Sequence, residues 1–283
     1  MITVNNLSYS YPKASGPTLK NLDFDIDQGE IFGFLGPSGA GKSTTQKVLY
    51  KILHRFDGTI VVKDRHLNDW GNDYFERIGV GFELPNHYLK LTARENLQLF
   101  ASFYQKENIR DFEELFEIVG LEDDADKCIE EFSKGMSMRL NYIRAIMHDP
   151  DILFFDEPTA GLDPINAQKI KRDIAKLKDQ GKTVFVTTHD MATADELCDR
   201  VSFIVDGEIR LTENPDVLKR EHGKRAVRVE LEKGLTKEFP VRELGTNKEF
   251  IDFVRSGEIS RINTQEATLE EVFIKVTGKT LKE

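Results

Sequence analysis

The chain has 283 residues, 39% of them hydrophobic and 31% charged, enough to bury the core of one large domain plus a small one. A formal charge of −10 and an isoelectric point near 5.3 exclude a nucleic-acid binder held by a basic surface. No apolar run approaches the roughly 20 residues that a spanning helix needs, so the chain is not expected to cross a bilayer by itself.

Met1-Ile2-Thr3-Val4-Asn5-Asn6 lacks a basic stretch followed by an apolar one, so no signal peptide is expected. Leu22, Phe24 and Ile26 then alternate with polar residues, the period of a half-buried antiparallel strand. Asp27-Gln28-Gly29 supplies a turn, and Ile31–Leu35 reads as a buried strand running into a glycine-rich loop and a polar helix from about Lys42. From Thr92 the period changes. Thr92 and Glu95 have capping-box spacing; Leu97, Phe100, Ala101 and Tyr104, then Phe112, Leu115, Phe116 and Val119, fall on helical stripes that predict a helical insertion with core-facing apolar sides. Cys128 and Cys198 stand far apart with no ligand at metal spacing, and read as two reduced thiols.

Ile152–Phe155 restores the character of a parallel sheet, and Asp163-Pro164 is an N-cap and N1 pair opening a helix with Ile170, Ile174 and Leu177 on one face. Thr183–Thr187 is a further strand, and Phe203–Ile209 folds as a hairpin about Asp206-Gly207. Strand, helix and strand at this spacing predict α/β layers. Beyond the charged stretch Lys219–Arg225, alternation restarts at Val227, Val229 and Leu231, with helical patterns around Phe250–Val254 and Leu269–Val276. That composition predicts a small α+β appendage.

Gly36-Pro37-Ser38-Gly39-Ala40-Gly41-Lys42-Ser43 matches the phosphate-binding P-loop, with a strand before it and a helix after it. Glycines let backbone N–H groups turn inward around phosphates, and the helix N-terminus adds its positive end. Lys42 neutralises β/γ oxygens, and the Ser43 hydroxyl can ligate Mg²⁺. The motif alone does not choose among kinases, GTPases and transport ATPases. Asp156 and Glu157 end the strand Ile152–Phe155, and in an open parallel sheet ligands bind at such ends. Asp156 suits the outer sphere of Mg²⁺; Glu157 points the other way along the strand and suits polarisation of an attacking water. His189 ends another strand of the same layer, within reach of a γ-phosphate.

In this order the residues resemble the ABC ATPase family, from Ile2 to about Asn214. Phe132-Ser133-Lys134-Gly135-Met136, followed by Arg139, sits where the family has its Leu-Ser-Gly-Gly-Gln signature; Ala160-Gly161-Leu162-Asp163 resembles the D-loop, Thr188-His189-Asp190 the H-loop, and Tyr11 the aromatic that stacks on adenine. The resemblance implies a P-loop NTPase (RecA-like) α/β core with an antiparallel β subdomain, a helical insertion at about 84–148 and a small C-terminal α+β appendage. The nucleotide-binding domain is expected at 1–222 and the accessory domain at 223–283. It implies ATP and Mg²⁺, with Lys42, Glu157 and His189 catalytic, Ser43, Asp156 and Glu83 at the metal, and Tyr11, Gly36 to Thr44, Ser133, Gly135 and Asp163 at the nucleotide.

Two copies, or this chain and a paired ATPase subunit, would associate head to tail, so that Ser133 and Gly135 face the γ-phosphate held by the other P-loop. Closing and opening would drive a separate multi-spanning permease, holding the chain at the cytoplasmic face of the cell membrane; no nucleic acid is implied. The signature and Thr268-Leu269-Glu270-Glu271-Val272-Phe273 resemble the drug and peptide export (ABC-2) kind. The alternative is a soluble ABC-type mechanoenzyme or regulator without a permease. Against it, the stretch between Lys42 and Ser133 leaves no room for a long coiled-coil arm, and one cassette is present. Two departures stand out: Lys134 and Met136 replace a Gly and a Gln of the signature, and Glu83 occupies the position of the Q-loop glutamine.

Overall fold

The alternation at the start of the chain produces two antiparallel strands, β1 (Ile2–Tyr9) and β2 (Leu19–Ile26), which bury Ile2, Val4, Leu7, Leu22, Phe24 and Ile26 on one side. With β4 (Asp57–Val62) and β5 (Arg65–His66) they form a sheet of order β2-β1-β4-β5, the expected antiparallel subdomain. The computed structural model describes residues 1–222, 226–232, 234–265 and 267–280, which form two compact units, Met1–Thr212 and Glu213–Thr280.

The second sheet of the first unit carries the site. Its order is β10-β9-β3-β8-β7-β6, from β3 (Ile31–Leu35), β6 (Ile78–Gly81), β7 (Ile152–Asp156), β8 (Thr183–Thr188), β9 (Arg200–Val205) and β10 (Glu208–Glu213). β6, β7, β8, β3 and β9 are parallel, and β3, β7 and β8 are buried along their whole length. Continuous apolar runs are what strands covered on both faces require. Asp206 (φ 52°) and Gly207 (φ 77°) make the tight turn from β9 to β10, positive φ at both central positions marking the primed hairpin turn. Phe24 joins the two sheets, packing at 5.2 Å on Phe34 and 5.9 Å on Phe32, while Phe34 meets Phe185 at 5.3 Å. Each such buried ring stabilises the core by about 1.5–3 kcal/mol.

The helices follow their sequence signals. α1 (Lys42–Leu49) leaves the glycine-rich loop; α2 (Ala93–Ala101) starts with both halves of the Thr92–Glu95 capping box; α3 (Phe112–Val119) and α4 (Lys134–Ile146) complete the insertion. Asp163 caps α5 (Pro164–Asp179), which buries Ile170, Ile174 and Leu177, and α6 (Met191–Leu197) follows β8. In the second unit, β12 (Thr236–Pro240), β11 (Ala226–Leu231) and β13 (Ile259–Gln265) form an antiparallel sheet of that order. Val227, Val229, Leu231 and Phe239 pack there against Phe250, Phe253 and Val254, the last three on α8 (Lys248–Arg255). α7 (Pro215–His222) packs on α9 (Leu269–Thr277) and belongs to this unit, whereas the sequence puts it at the end of the first domain. The boundary drawn from sequence between 222 and 223 adjoins residues 223–225, outside the described residues.

β6 lies so close to α4 that a Cβ on Gly79 would stand 2.0 Å from the Ala145 carbonyl oxygen and 2.9 Å from Pro150 Cγ. Gly79→Ala is therefore expected to destabilise the first unit by about 1–3 kcal/mol, the range for an overpacked core; the midpoint of urea unfolding measures it.

Candidate functional site

β3, β8 and β7 end together at a cleft of about 610 Å³, lined by Tyr11, Thr18, Ser38, Gly39, Gly41, Lys42, Ser43, Thr44, Glu83, Asp156, Glu157 and His189. The loop after β3 can take its path only with glycine. A Cβ on Gly36 would stand 2.1 Å from the Ile204 carbonyl oxygen, and Gly41, at φ 111°, leaves no room beside Leu19. Gly36, Pro37 and Ala40 shape this loop without lining the cleft. Lys42 is buried, and its ammonium donates to the Gly36 carbonyl at 2.7 Å and the Pro37 carbonyl at 3.1 Å. Burial lowers its pKa, and the negative charges of Glu157, Asp156 and Glu83 oppose that shift. Gln46, fully buried on α1, donates to the Phe155 carbonyl at 3.0 Å and ties the phosphate loop's helix to β7.

Strand alternation alone would send Asp156 and Glu157 to opposite sides, as the sequence suggests, but both line the same cleft. Glu157 lies one residue past the end of β7 in the left-handed region, at φ 51°. That conformation costs about 1–3 kcal/mol in a residue with a Cβ. It is held by the Glu157 N–H donating to the Thr187 carbonyl at 2.9 Å and by three hydrogen bonds to the carboxylate. The Thr188 hydroxyl donates to one oxygen at 2.9 Å; the His189 backbone N–H and Nδ1 donate to the other at 2.9 and 2.7 Å. Asp156 is held likewise by the Thr187 hydroxyl.

His189 differs from the framework histidines of this chain. Burial pushes His87 and His148 down to about 4, and each directs Nε2 to a carbonyl, of Ser137 at 3.0 Å and of Ile78 at 2.8 Å. The His189 side chain is instead 59% exposed, with Nδ1 on Glu157 and its far edge free to meet a ligand. Tyr11 stands at the mouth of the cleft, its hydroxyl 3.2 Å from Thr44 Oγ1 and its ring edge-on to Tyr9 at 5.0 Å. Ser133, Gly135 and Asp163 lie outside the cleft. Ser133 caps α4 and is exposed; both Asp163 oxygens take hydrogen bonds from the start of α5, backbone and side-chain donors of Asn166 foremost, which lowers its pKa.

The sequence reading did not single out the holding roles of Thr187 and Thr188, the Gln46 tie, or Thr18 at the rim. Threonines in a strand look like ordinary β-formers, and only their position at a strand end beside two acids hints otherwise. As for Mg²⁺, the cleft offers a hydroxyl and carboxylates, hard oxygen donors of the kind that hold this ion together with substrate phosphates. Among the described residues no group of three or more His, Cys, Asp or Glu could hold a metal unaided, so an ion here would depend on phosphate oxygens. The donor set fits.

A glycine-wrapped lysine, a helix N-terminus and two held carboxylates at the ends of parallel strands define a P-loop nucleoside-triphosphate hydrolase. The family model described as ABC transporter matches residues 19–160. The fluoroquinolones export ATP-binding protein of Mycobacterium tuberculosis is 50% identical over 285 aligned residues, covering 99% of this chain and 94% of that protein. The bacitracin transport ATP-binding protein BcrA of Bacillus licheniformis is 36% identical, covering 79% of this chain and 73% of that one. Among solved structures, an ATP-binding cassette captured as a dimer in a post-hydrolysis state with ADP and Pi superposes with a TM-score of 0.69 at 29% identity, covering 76% of this chain and 98% of that one. The chain belongs to the ABC transporter family, as an ATP-binding and ATP-hydrolysing subunit.

Lys42→Ala removes the one ammonium that the loop directs into the cleft. ATP affinity should fall about 10- to 150-fold, the equivalent of about 1.5–3 kcal/mol for a hydrogen bond to a charged group; titration with labelled ATP reads it, and unchanged affinity would refute the phosphate-loop assignment.

Proposed function

We propose that this chain is the motor of a membrane exporter whose spanning part is a separate permease, and that it works as a head-to-tail pair closed by ATP and opened by hydrolysis. One observation carries the pairing: the P-loop, Asp156, Glu157 and His189 share a cleft in a single copy, while Ser133 and Gly135 lie outside it. A second copy turned head to tail would bring its Ser133 hydroxyl and the α4 N-terminus against the γ-phosphate. No helix among the described residues is long and apolar enough to cross a membrane, in keeping with a permease on another polypeptide that holds this chain to the inner membrane face. The fluoroquinolones and bacitracin relatives support a cargo of the antimicrobial class. The second unit, with its own core, serves in this reading to adjust pairing or coupling to the permease.

In the reaction, Lys42 exchanges its loop carbonyls for β/γ oxygens, and the ring of Tyr11 stacks on adenine. Ser43 and Asp156 would hold Mg²⁺, which would supply charge neutralisation at the phosphates. Glu157 orients and deprotonates the attacking water, its carboxylate aimed by Thr188 and His189, and the free edge of His189 meets the γ-phosphate. Glu83, at the edge of the cleft, joins the metal's surroundings and links them to the permease.

Glu157→Gln should lower hydrolysis by about 10²–10⁴-fold, the contribution of a positioned general base, while ATP binding persists and an ATP-bound dimer accumulates on gel filtration. A monomeric, fully active variant would sink both the role and the pairing. Glu83→Gln should keep or raise basal hydrolysis by relieving repulsion of the γ-phosphate, whereas Glu83→Ala should weaken its dependence on magnesium concentration. A Glu83→Gln variant as inactive as Glu157→Gln would make Glu83 the base. Co-purification of the tagged chain with a multi-spanning membrane protein tests the permease; recovery of the chain alone from solubilised membranes would favour the soluble mechanoenzyme.

A further inference from the structure

Lys134, where the family signature has glycine, opens α4 between Ser133 and Gly135 with its side chain exposed. Its stem lies over the backbone of Gly161: a Cβ there would stand 3.4 Å from Lys134 Cε and 3.6 Å from Nζ. Among the described residues the ammonium makes no hydrogen bond and no ion pair. Glu130 is engaged with Lys90 at 2.5 Å and Asp163, two residues past Gly161, in capping α5; the exposed Glu131 makes no ion pair with Lys134. The first turn of α4 contains no acid, although free N–H groups and the positive end of the helix dipole favour one there. A lysine at that position disfavours the isolated helix and favours an incoming anion.

The cleft supplies the anion. Within one copy, Lys42 faces the charges of Glu157, Asp156 and Glu83, and a triphosphate adds more negative charge to the same space. We propose that Lys134 is a second phosphate-binding cation, donated across the pair to the triphosphate held by the other copy's Lys42. On closure its ammonium leaves Gly161 for a phosphate oxygen, a move that a compact charge on a flexible stem can make. The proposal rests on the head-to-tail reading above. It predicts that the charge at 134 governs how much ATP is needed to bring two copies together.

The test uses the full chain carrying Glu157→Gln, with pairing followed by analytical ultracentrifugation across an ATP series in magnesium. Lys134→Met keeps the stem against Gly161 and removes the charge; it should raise the ATP concentration for half-maximal pairing at least about tenfold, the scale of one charge-assisted hydrogen bond. Lys134→Gln, a second neutral variant, should behave alike, and Lys134→Arg should stay within about threefold of the parent, since either cation meets a phosphate oxygen. Added salt should weaken pairing of the parent more than of Lys134→Met, which lacks the screened contact; a merely structural lysine would not alter that slope. Equal midpoints for the parent and both neutral variants would overturn the proposal. A parent that does not pair with ATP at all would overturn the head-to-tail reading, and the proposal with it.

Discussion

The site depends on the parallel register of three strands. Leu35 of β3 lies opposite Thr188 of β8, and Thr187 of β8 opposite Asp156 of β7, so the chain leaves the sheet at the same level three times. Each exit carries a different chemistry: a loop of inward N–H groups after β3, a pair of acids at the end of β7, a histidine after β8. A shift of one residue in the pairing of β7 with β8 would move the Thr188 hydroxyl away from Glu157 and the Thr187 hydroxyl away from Asp156. The phenylalanines that join the two sheets hold this register rigid, and the precision of the cleft is thereby a property of the core.

Charge makes the cleft responsive to its ligand. Lys42 is buried beside two loop carbonyls and within the field of three carboxylates, Glu157, Asp156 and Glu83. One cation against three acids is a poor host for a triphosphate, so binding an anion here requires further positive charge. A divalent ion held by Ser43 and Asp156 would supply part of it. Helix N-termini supply more, that of α1 from within the copy and, in the paired reading, that of α4 from outside it. On this balance the proposed pairing has a physical reason: a second copy would bring positive charge that one copy lacks.

What the sequence made legible follows from what is local. The phosphate loop, the acids after a buried strand, the Thr92–Glu95 capping box and the Asp163-Pro164 helix start are each written in consecutive residues, and each stands in the structure as expected. Relations between distant segments were harder to read. That Gln46 reaches the Phe155 carbonyl, or that Thr188 grips Glu157, depends on which strands are neighbours, and periodicity carries no such information. The placing of Glu157 failed for another reason. Alternation holds only within a strand, and Glu157 stands one residue beyond β7 in a left-handed turn that its own hydrogen bonds maintain. Likewise α7 reads as the tail of the first domain because its charged run looks like a linker, whereas its Leu218 is buried and it packs on α9.

The second unit has what independent folding requires on a small scale. Its sheet buries Val227, Val229, Leu231 and Phe239 beneath aromatic residues of α8, and α9 begins with a complete capping box of Thr268 and Glu271. Leu269, Val272 and Phe273, which as a sequence could be a docking stripe, are buried. The apolar face of that helix is therefore already covered within the chain, with α7 packed on it, and any contact it makes with a partner must use its charged side or its exposed Ile274. A partner recognised through such a surface would be bound by polar and rim contacts, which set specificity and rate of encounter more than affinity. Such contacts are consistent with the proposed role of this unit in adjusting pairing or coupling, with nucleotide binding proposed to hold the copies together.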